Sequence, residues 1–164
     1  MSHFRFKASL DSFSKNITGG LFIFTFALMM ILYFTLKQQV LILIFPTLIL
    51  IGTFIYAYYT SPIGYEVNDE GIVILRRMKS YLIKGNTIQD IRILEEGELG
   101  KSWRVMGNGG MLGYTGWYST SLGKMRWFVS QRKNYILIKT GNHQQFLISP
   151  DDPQGFMNAV TKKN

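Results

Sequence analysis

The most unusual stretch of the 164-residue chain is a glycine-rich block at residues 104–117, RVMGNGGMLGYTGW. Glycine-rich loops can bind phosphate through their backbone N–H groups. This block, however, has neither the GxxxxGK[ST] pattern of a P-loop nor a complete GxGxxG in a strand–helix context. The sequence therefore favours a flexible or tightly turned connection over a nucleotide site. A further interpretation is a loop that contacts a partner, a peptide or the bilayer surface, with the candidate residues Arg104, Asn108, Gly109, Gly110, Met111, Leu112, Tyr114 and Trp117.

Basic residues form a second candidate set, because they fall at or near predicted strand ends and turns. In a membrane-tethered domain such residues can contact anionic headgroups, and each then contributes about 1 kcal/mol near the surface. A solvated surface with more positive charge on the cytoplasmic side explains them equally well. The candidates for headgroup or partner binding are Arg76, Arg77, Lys79, Lys84, Arg126, Arg132 and Lys133.

The sequence offers little that could support catalysis. It has no cysteine, and its two histidines, His3 and His143, do not have metal-ligand spacing. Residues 12–15 (SFSK) formally match S-x-x-K but lack the companion motifs of that enzyme class. We therefore predict a protein that is not an enzyme and has no catalytic residue, no metal and no cofactor. The formal net charge of +8 would suit nucleic acid, but membrane tethering argues against such a partner.

Two apolar runs, residues 17–36 and 40–59, are each twenty residues long and carry no charge. At about 1.5 Å per residue, twenty helical residues cover the roughly 30 Å hydrocarbon core of a bilayer. Because three residues separate the runs, they predict an antiparallel transmembrane hairpin. A cleaved signal peptide is disfavoured, since the first run is too long and lacks a small-residue cleavage site. Neither run contains an ionisable residue, so the hairpin is interpreted as an anchor rather than a transport path.

Charge predicts the orientation of this hairpin. Residues 1–16 carry three basic residues against one acidic residue, and further basic residues follow from position 76, whereas the connecting loop has Lys37 alone. The positive-inside rule then places both termini in the cytoplasm. We expect a cytosolic, membrane-proximal leader at 1–16, the hairpin at 17–59 and a cytosolic domain at 60–164. Within the leader, residues 3–7 alternate as a strand would, whereas Phe6, Leu10, Phe13 and Ile17 have the spacing of a short interfacial helix.

The cytosolic part predicts short β-strands followed by one helix. Strand patterns occur at residues 64–67 and 72–76, which read as a hairpin, and at 80–84, 88–94, 117–120, 125–130, 135–140 and 144–148. Asp151 or Asp152 is expected to cap the helix, with Pro153 at its first position. The predicted fold class is α+β, an antiparallel barrel or sandwich of about seven strands closed by the C-terminal helix.

Residues 61–161 resemble the bacterial pleckstrin-homology-like (PH-like) membrane proteins. The segments that carry the resemblance are GYEVNDEGIVILRR, IQDIRIL, RVMGNGGMLGYTGWYSTSLGKMRWFVSQRKNYILI and ISPDDPQGFMNAV. The resemblance implies a PH-like barrel with a capping helix and a place in the bacterial inner membrane. It does not imply phosphoinositide binding, because the eukaryotic lipid-binding motif is not recognisable, and a fold does not by itself give a function.

The functional prediction is a non-enzymatic, membrane-anchored PH-like domain that mediates protein interaction, self-association or recognition of a lipid surface. Its expected partners are the bilayer, anionic headgroups, another protein or a second copy of the chain. The alternative is an accessory subunit of a larger membrane enzyme or transporter, whose helices would pack closely through small residues. Those small residues are Gly19, Gly20, Ala27, Gly52 and Ala57.

Overall fold

The computed structural model of the protein describes residues 4–35 and 40–163. The strands in these residues are β1 (Phe4–Lys7), β2 (Pro62–Asn68), β3 (Gly71–Arg76), β4 (Tyr81–Lys84), β5 (Ile88–Ile93), β6 (Trp103–Gly110), β7 (Gly113–Thr120), β8 (Gly123–Val129), β9 (Ile136–Thr140) and β10 (Gln145–Ile148). The α-helices are α1 (Ser12–Thr35), α2 (Val40–Thr60) and α3 (Pro153–Thr161), and a 3-10 turn covers Gly85–Thr87.

A candidate membrane span is present in α1, the one helix of the described residues that is long and apolar enough to cross a bilayer. In α2, the apolar stretch from Ile44 to Thr60 is shorter than the length required of a membrane span. The predicted two-span hairpin is therefore not confirmed. α1 begins at Ser12 and not at residue 17. The reason is a cap: the Asp11 carboxylate accepts a hydrogen bond from the Ser14 N–H at 2.7 Å. The helix therefore extends into the segment that the sequence predicted as a leader.

The strands form two open sheets. The first has the order β1-β2-β3-β4, and the second has the order β5-β9-β10-β8-β7-β6. β10 lies between β9 and β8 and runs parallel to β8, although its pairing with β9 is antiparallel. The α+β class is thus confirmed. Of the predicted barrel or sandwich, the described residues form two sheets and no closed barrel. The second sheet does not close on itself, because its two edge strands, β5 and β6, do not pair with each other. Two details are wrong, since one strand pair is parallel and the described residues contain ten strands and not about seven.

The main core lies between the two sheets and α3. Alternating residues of β8, β9 and β10 face it, and Phe156 of α3 is fully buried there. Tyr65 of β2 joins the sheets, because its hydroxyl donates to the Phe128 carbonyl at 2.6 Å and accepts from the Ser149 N–H at 3.2 Å. The Asp152 carboxylate caps α3 by accepting from the Gly155 N–H at 2.9 Å, as the sequence predicts, with Pro153 at the first helical position.

The opposite face of the six-stranded sheet holds a second apolar cluster. Its buried members from the sheet are Tyr114, Tyr118, Met125, Trp127, Val129, Leu137 and Leu147. Within residues 4–35 and 40–163, the second apolar cluster contains no residue of the four-stranded sheet. Instead, the segment between β5 and β6 contributes Leu94 and Leu99, so the sheet is apolar on both sides.

Candidate interaction surface

The glycine-rich block is a β-hairpin closed by a two-residue turn, which fits the tightly turned form of the prediction and not the flexible one. β6 and β7 pair from Trp103↔Ser119 to Gly110↔Gly113, and only Met111 and Leu112 lie between them. Gly107 and Gly116 are direct partners with φ of +121° and +130°. A Cβ on either would collide with the opposite backbone. Glycine is scarce in strands for conformational reasons, which is why the pattern missed this hairpin, but here the absent side chains permit the close approach.

Asn108 holds the tip of this hairpin together. Its side-chain amide donates to the carbonyls of Met111 and Gly113, and its side-chain oxygen accepts from the Met111 N–H at 3.2 Å. Its own carbonyl accepts a hydrogen bond from the Tyr118 hydroxyl at 2.5 Å. The polar groups of Asn108 are thus occupied within the hairpin, which gives this residue a structural task.

The first turns of α1 dock on the same tip. The Ser14 hydroxyl donates to the Gly110 carbonyl at 2.6 Å and accepts from the Gly113 N–H at 2.9 Å, and Ser14 is fully buried. One helical turn later, the Thr18 hydroxyl accepts from the Leu112 N–H at 3.0 Å. We call these three hydrogen bonds the Ser14 clamp. Sequence reasoning missed it, although two hydroxyl residues four apart on one helical face were a signal.

The residues before α1 are also part of the domain. β1 pairs with β2 from Phe4↔Val67 to Lys7↔Gly64, so the alternating pattern of residues 4–7 is a strand. Ser9 donates from its N–H and its hydroxyl to the Asp151 carboxylate, at 2.9 and 2.5 Å. Arg132 contacts the start of α1. Its backbone N–H donates to the Asp11 carboxylate at 3.1 Å, and its guanidinium lies 3.7 Å from the centre of the Phe13 ring.

The predicted basic residues do not form one patch. Arg76 and Arg126 lie over aromatic rings of the core, including Phe128, and burial together with the neighbouring Arg126 guanidinium lowers the pKa of Arg76. Arg77 contacts the end of α2, because it donates to the Tyr58 carbonyl at 3.1 Å and lies 4.1 Å from the centre of that ring. Lys79 is exposed in the adjacent β3–β4 turn.

Two further basic residues lie elsewhere. Lys84 pairs with Gly71 at the opposite end of the β3–β4 hairpin, and Lys133 is exposed next to Arg132. The sequence set is therefore divided among the α2 end, the core rim, the start of α1 and the far end of the first sheet.

The described strands and turns expose several apolar residues that the sequence set did not contain. Met78, 73% exposed, lies between Arg77 and Lys79. Trp103, Val105 and Met106 are exposed on β6, which is an edge of its sheet. In contrast, Tyr114 is only 6% exposed, and Met111, Leu112 and Trp117 are half-buried. The apolar residues predicted from the block are thus less accessible than the three on β6, and a role of the block in contacting a partner stays a prediction.

Residues 63–164 contain β-strands of both sheets and the C-terminal helix α3. These residues match the family model described as a bacterial PH domain. The chain belongs to this family. No curated protein and no solved structure matches the chain. Among the described residues, no three His, Asp or Glu side chains are grouped so that they could hold a metal ion.

The matched region begins after the second helix, so the PH domain receives β1 and the Ser14 clamp from residues that precede the match. β1 extends the first sheet of the domain, and Phe6 packs edge-to-face on Phe156 of α3 at 5.2 Å between ring centres. The N-terminal segment is therefore joined to both sheets of the PH domain, since the clamp holds β6 and β7 while β1 holds β2.

Proposed function

We propose that the protein is a non-enzymatic, membrane-anchored bacterial PH domain whose α1 and α2 both cross the inner membrane and which presents one fixed side to the cytosolic leaflet. The observation that carries this proposal is the pairing of β1 with β2. β1 precedes α1 and β2 follows α2, so residues on both sides of the two helices share one sheet. If α1 spans the bilayer, the chain must return before β2, and α2 is the apolar helix available to do so.

The length of α2 is compatible with this return. The helix has 21 residues, which at about 1.5 Å per residue give roughly 31 Å. Its side chains between Ile44 and Tyr59 are largely exposed in the described chain, with Phe45 and Leu48 among them. Apolar side chains of this kind are stable when lipid surrounds them, and costly in water.

The side of the domain that would face the leaflet is the side from which the helices leave. The Arg77 contact to Tyr58 places the β3–β4 turn beside the end of α2. That turn offers an exposed methionine between two cations, Arg77 and Lys79. Each cation adds about 1 kcal/mol of attraction to an anionic surface, and the Met78 side chain can enter the interface. We call residues 77–79 the membrane-facing turn.

Single-cysteine labelling tests both parts of the proposal, since the chain has no native cysteine. In cells, we expect Gln38→Cys to react with an impermeant thiol reagent from the periplasmic side and Asn86→Cys to react only after lysis. Equal protection of both positions would refute the two-span arrangement.

Fluorescence quenching by lipid tests which side of the PH domain faces the membrane. In vesicles that contain brominated lipid, a fluorophore on Met78→Cys should be quenched strongly and one on Lys84→Cys weakly, because Lys84 lies at the other end of the β3–β4 hairpin. Anionic lipid should increase the difference. Similar quenching at the two positions would contradict a fixed orientation.

A second candidate function is association with a protein, either another copy or a larger membrane complex. The observation in its favour is β6, an edge strand with unpaired backbone groups and three exposed apolar residues. Such an edge can add a strand from a partner. Mass analysis of the complex purified in mild detergent tests this: a homo-oligomer or a discrete heteromer that Trp103→Lys dissociates supports it, and a monomer in both forms refutes it.

A further inference from the structure

The second apolar face of the six-stranded sheet contains a cleft of about 420 Å³, within the range of small-molecule sites. Tyr114, Tyr118 and Trp127 line it from β7 and β8, and Arg104 lines it from β6. Tyr118 and Trp127 stack nearly parallel, with ring centres 4.0 Å apart. Tyr135 adds a further ring 6.2 Å from Trp127. The cleft thus has an aromatic floor of a kind that suits a flat apolar group.

Two buried polar atoms of this cleft have no partner. The Tyr114 hydroxyl and the Trp127 Nε1 have less than 1 Å² of exposed surface each, and no hydrogen bond reaches either within the described residues. Tyr114 is 6% exposed and Trp127 is 3% exposed. An unsatisfied buried donor is costly and uncommon. Because both residues line the same cleft, a ligand that accepts hydrogen bonds would remove the cost at both.

The charged groups of the cleft favour an anion. Arg104 lies across Gly109, where an added Cβ would meet its guanidinium at 2.7 Å, and Gly109 is the strand partner of Tyr114. Arg132 borders the cleft as well, and the nearby Asp11 is already paired with it at 3.5 Å. Indole and guanidinium groups only donate hydrogen bonds. Burial raises the pKa of Tyr118 to about 12, so this phenol stays neutral at physiological pH.

We propose that this cleft binds a small anion attached to a planar apolar ring, of the aryl phosphate or aryl carboxylate class. The ring lies on the Tyr118–Trp127 stack, and the anionic oxygens accept from Arg104, the Tyr114 hydroxyl and the Trp127 Nε1. The two donors have almost no exposed surface, so a ligand reaches them only after lining side chains such as the exposed Arg104 move, a motion that surface side chains make readily. This site is built from residues other than those of the membrane-facing turn and does not rest on the function proposed above.

Trp127 can report binding directly. Trp103→Phe and Trp117→Phe leave it as the sole tryptophan of three in the chain, and the full-length protein is reconstituted in phosphatidylcholine vesicles. Phenyl phosphate is titrated as the complete probe, inorganic phosphate as the anion alone and phenyl glucoside as the neutral ring. We expect a saturable change with phenyl phosphate at a concentration at least about ten-fold lower than with either control. A change that does not saturate, or equal affinity for all three probes, would overturn the proposal.

Vesicles that contain phosphatidylglycerol distinguish a soluble ligand from a lipid headgroup. An unchanged affinity for phenyl phosphate supports a soluble ligand. Competition by phosphatidylglycerol, whose headgroup has no planar ring, would show that a phosphate alone occupies the cleft and would overturn the aryl part of the proposal.

Two variants separate binding from structure. Tyr114→Phe removes a hydroxyl that has no partner, so it should leave the thermal midpoint unchanged or raise it, yet weaken phenyl phosphate binding about five- to ten-fold. Arg104→Gln should weaken binding at least about ten-fold, whereas Lys101→Gln, an exposed cation in the preceding loop, serves as the matched control. Wild-type affinity in both Tyr114→Phe and Arg104→Gln would refute the site, even if both proteins are folded.

Discussion

Replacement of Ser14 by alanine tests the joint between α1 and the domain. The hydroxyl donates to the Gly110 carbonyl at 2.6 Å and accepts from the Gly113 N–H at 2.9 Å, and Ser14 has no exposed surface. Ser14→Ala therefore leaves one buried acceptor and one buried donor without a partner. At about 1–3 kcal/mol for each of the two unsatisfied groups, the free energy of unfolding should fall by about 2–6 kcal/mol.

The assay is urea unfolding of the full-length protein in mild detergent, followed by tryptophan fluorescence. Hydrogen exchange at the Leu112 and Gly113 amides shows whether the loss is local, because these two N–H groups donate to α1. Ser12→Ala is the matched control, since Ser12 is exposed in the first turn of the same helix. A loss below about 0.5 kcal/mol, or one equal to that of Ser12→Ala, would refute the assignment of the Ser14 clamp as a stabilising joint.

Three other predictions concern the domain itself. Burial raises the pKa of Tyr65 to about 12 in the folded protein, whereas the phenol of the unfolded chain titrates near 10. Because the unfolded chain loses this proton first, the free energy of unfolding should fall as the pH rises from about 10 to 12. Tyr65→Phe should flatten that slope in thermal melts, and an identical slope in the variant would assign it to other groups. Gly116→Ala should cost at least about 2 kcal/mol in urea unfolding, because of its positive φ and its contact with the opposite strand. Gly109→Ala should cost about 1 kcal/mol or less, since its Cβ meets a flexible arginine side chain, and equal losses would contradict this distinction. Asp152→Ala should cost about 1 kcal/mol by removal of the α3 cap at Gly155, and an unchanged thermal midpoint would show that the cap contributes nothing.

The elements that the sequence predicts correctly are those with local causes. The hairpin of β2 and β3 follows from alternating apolar residues around an Asn-Asp-Glu-Gly turn, and the Asn68 side chain does accept from the Glu70 and Gly71 N–H groups. The start of α3 follows from Asp152 and Pro153, because capping depends on neighbours three residues apart. Periodicity of two or 3.6 residues and cap chemistry are properties that a single segment carries by itself.

The elements that it misses depend on distant partners. The strand at Trp103–Gly110 approaches β7 closely where Gly107 faces Gly116, and no local sequence pattern indicates that pairing. The docking of Ser14 depends on a carbonyl 96 residues away. The same reason explains the basic residues, since Arg76 and Arg77 are adjacent in the chain but contact a core ring and the end of α2, respectively.

The pairing of β1 with β2 also fixes an order of events during synthesis. β1 is made first, but its partner emerges only after both apolar helices have left the ribosome. If those helices enter the membrane, insertion must bring residues 4–7 back to the side where β2 is delivered before the first sheet can be completed. A nascent chain with its first residues trapped on the wrong side would lack an edge strand and the Phe6 contact to α3. Such a chain would leave the β2 edge unpaired and open to pairing with other chains.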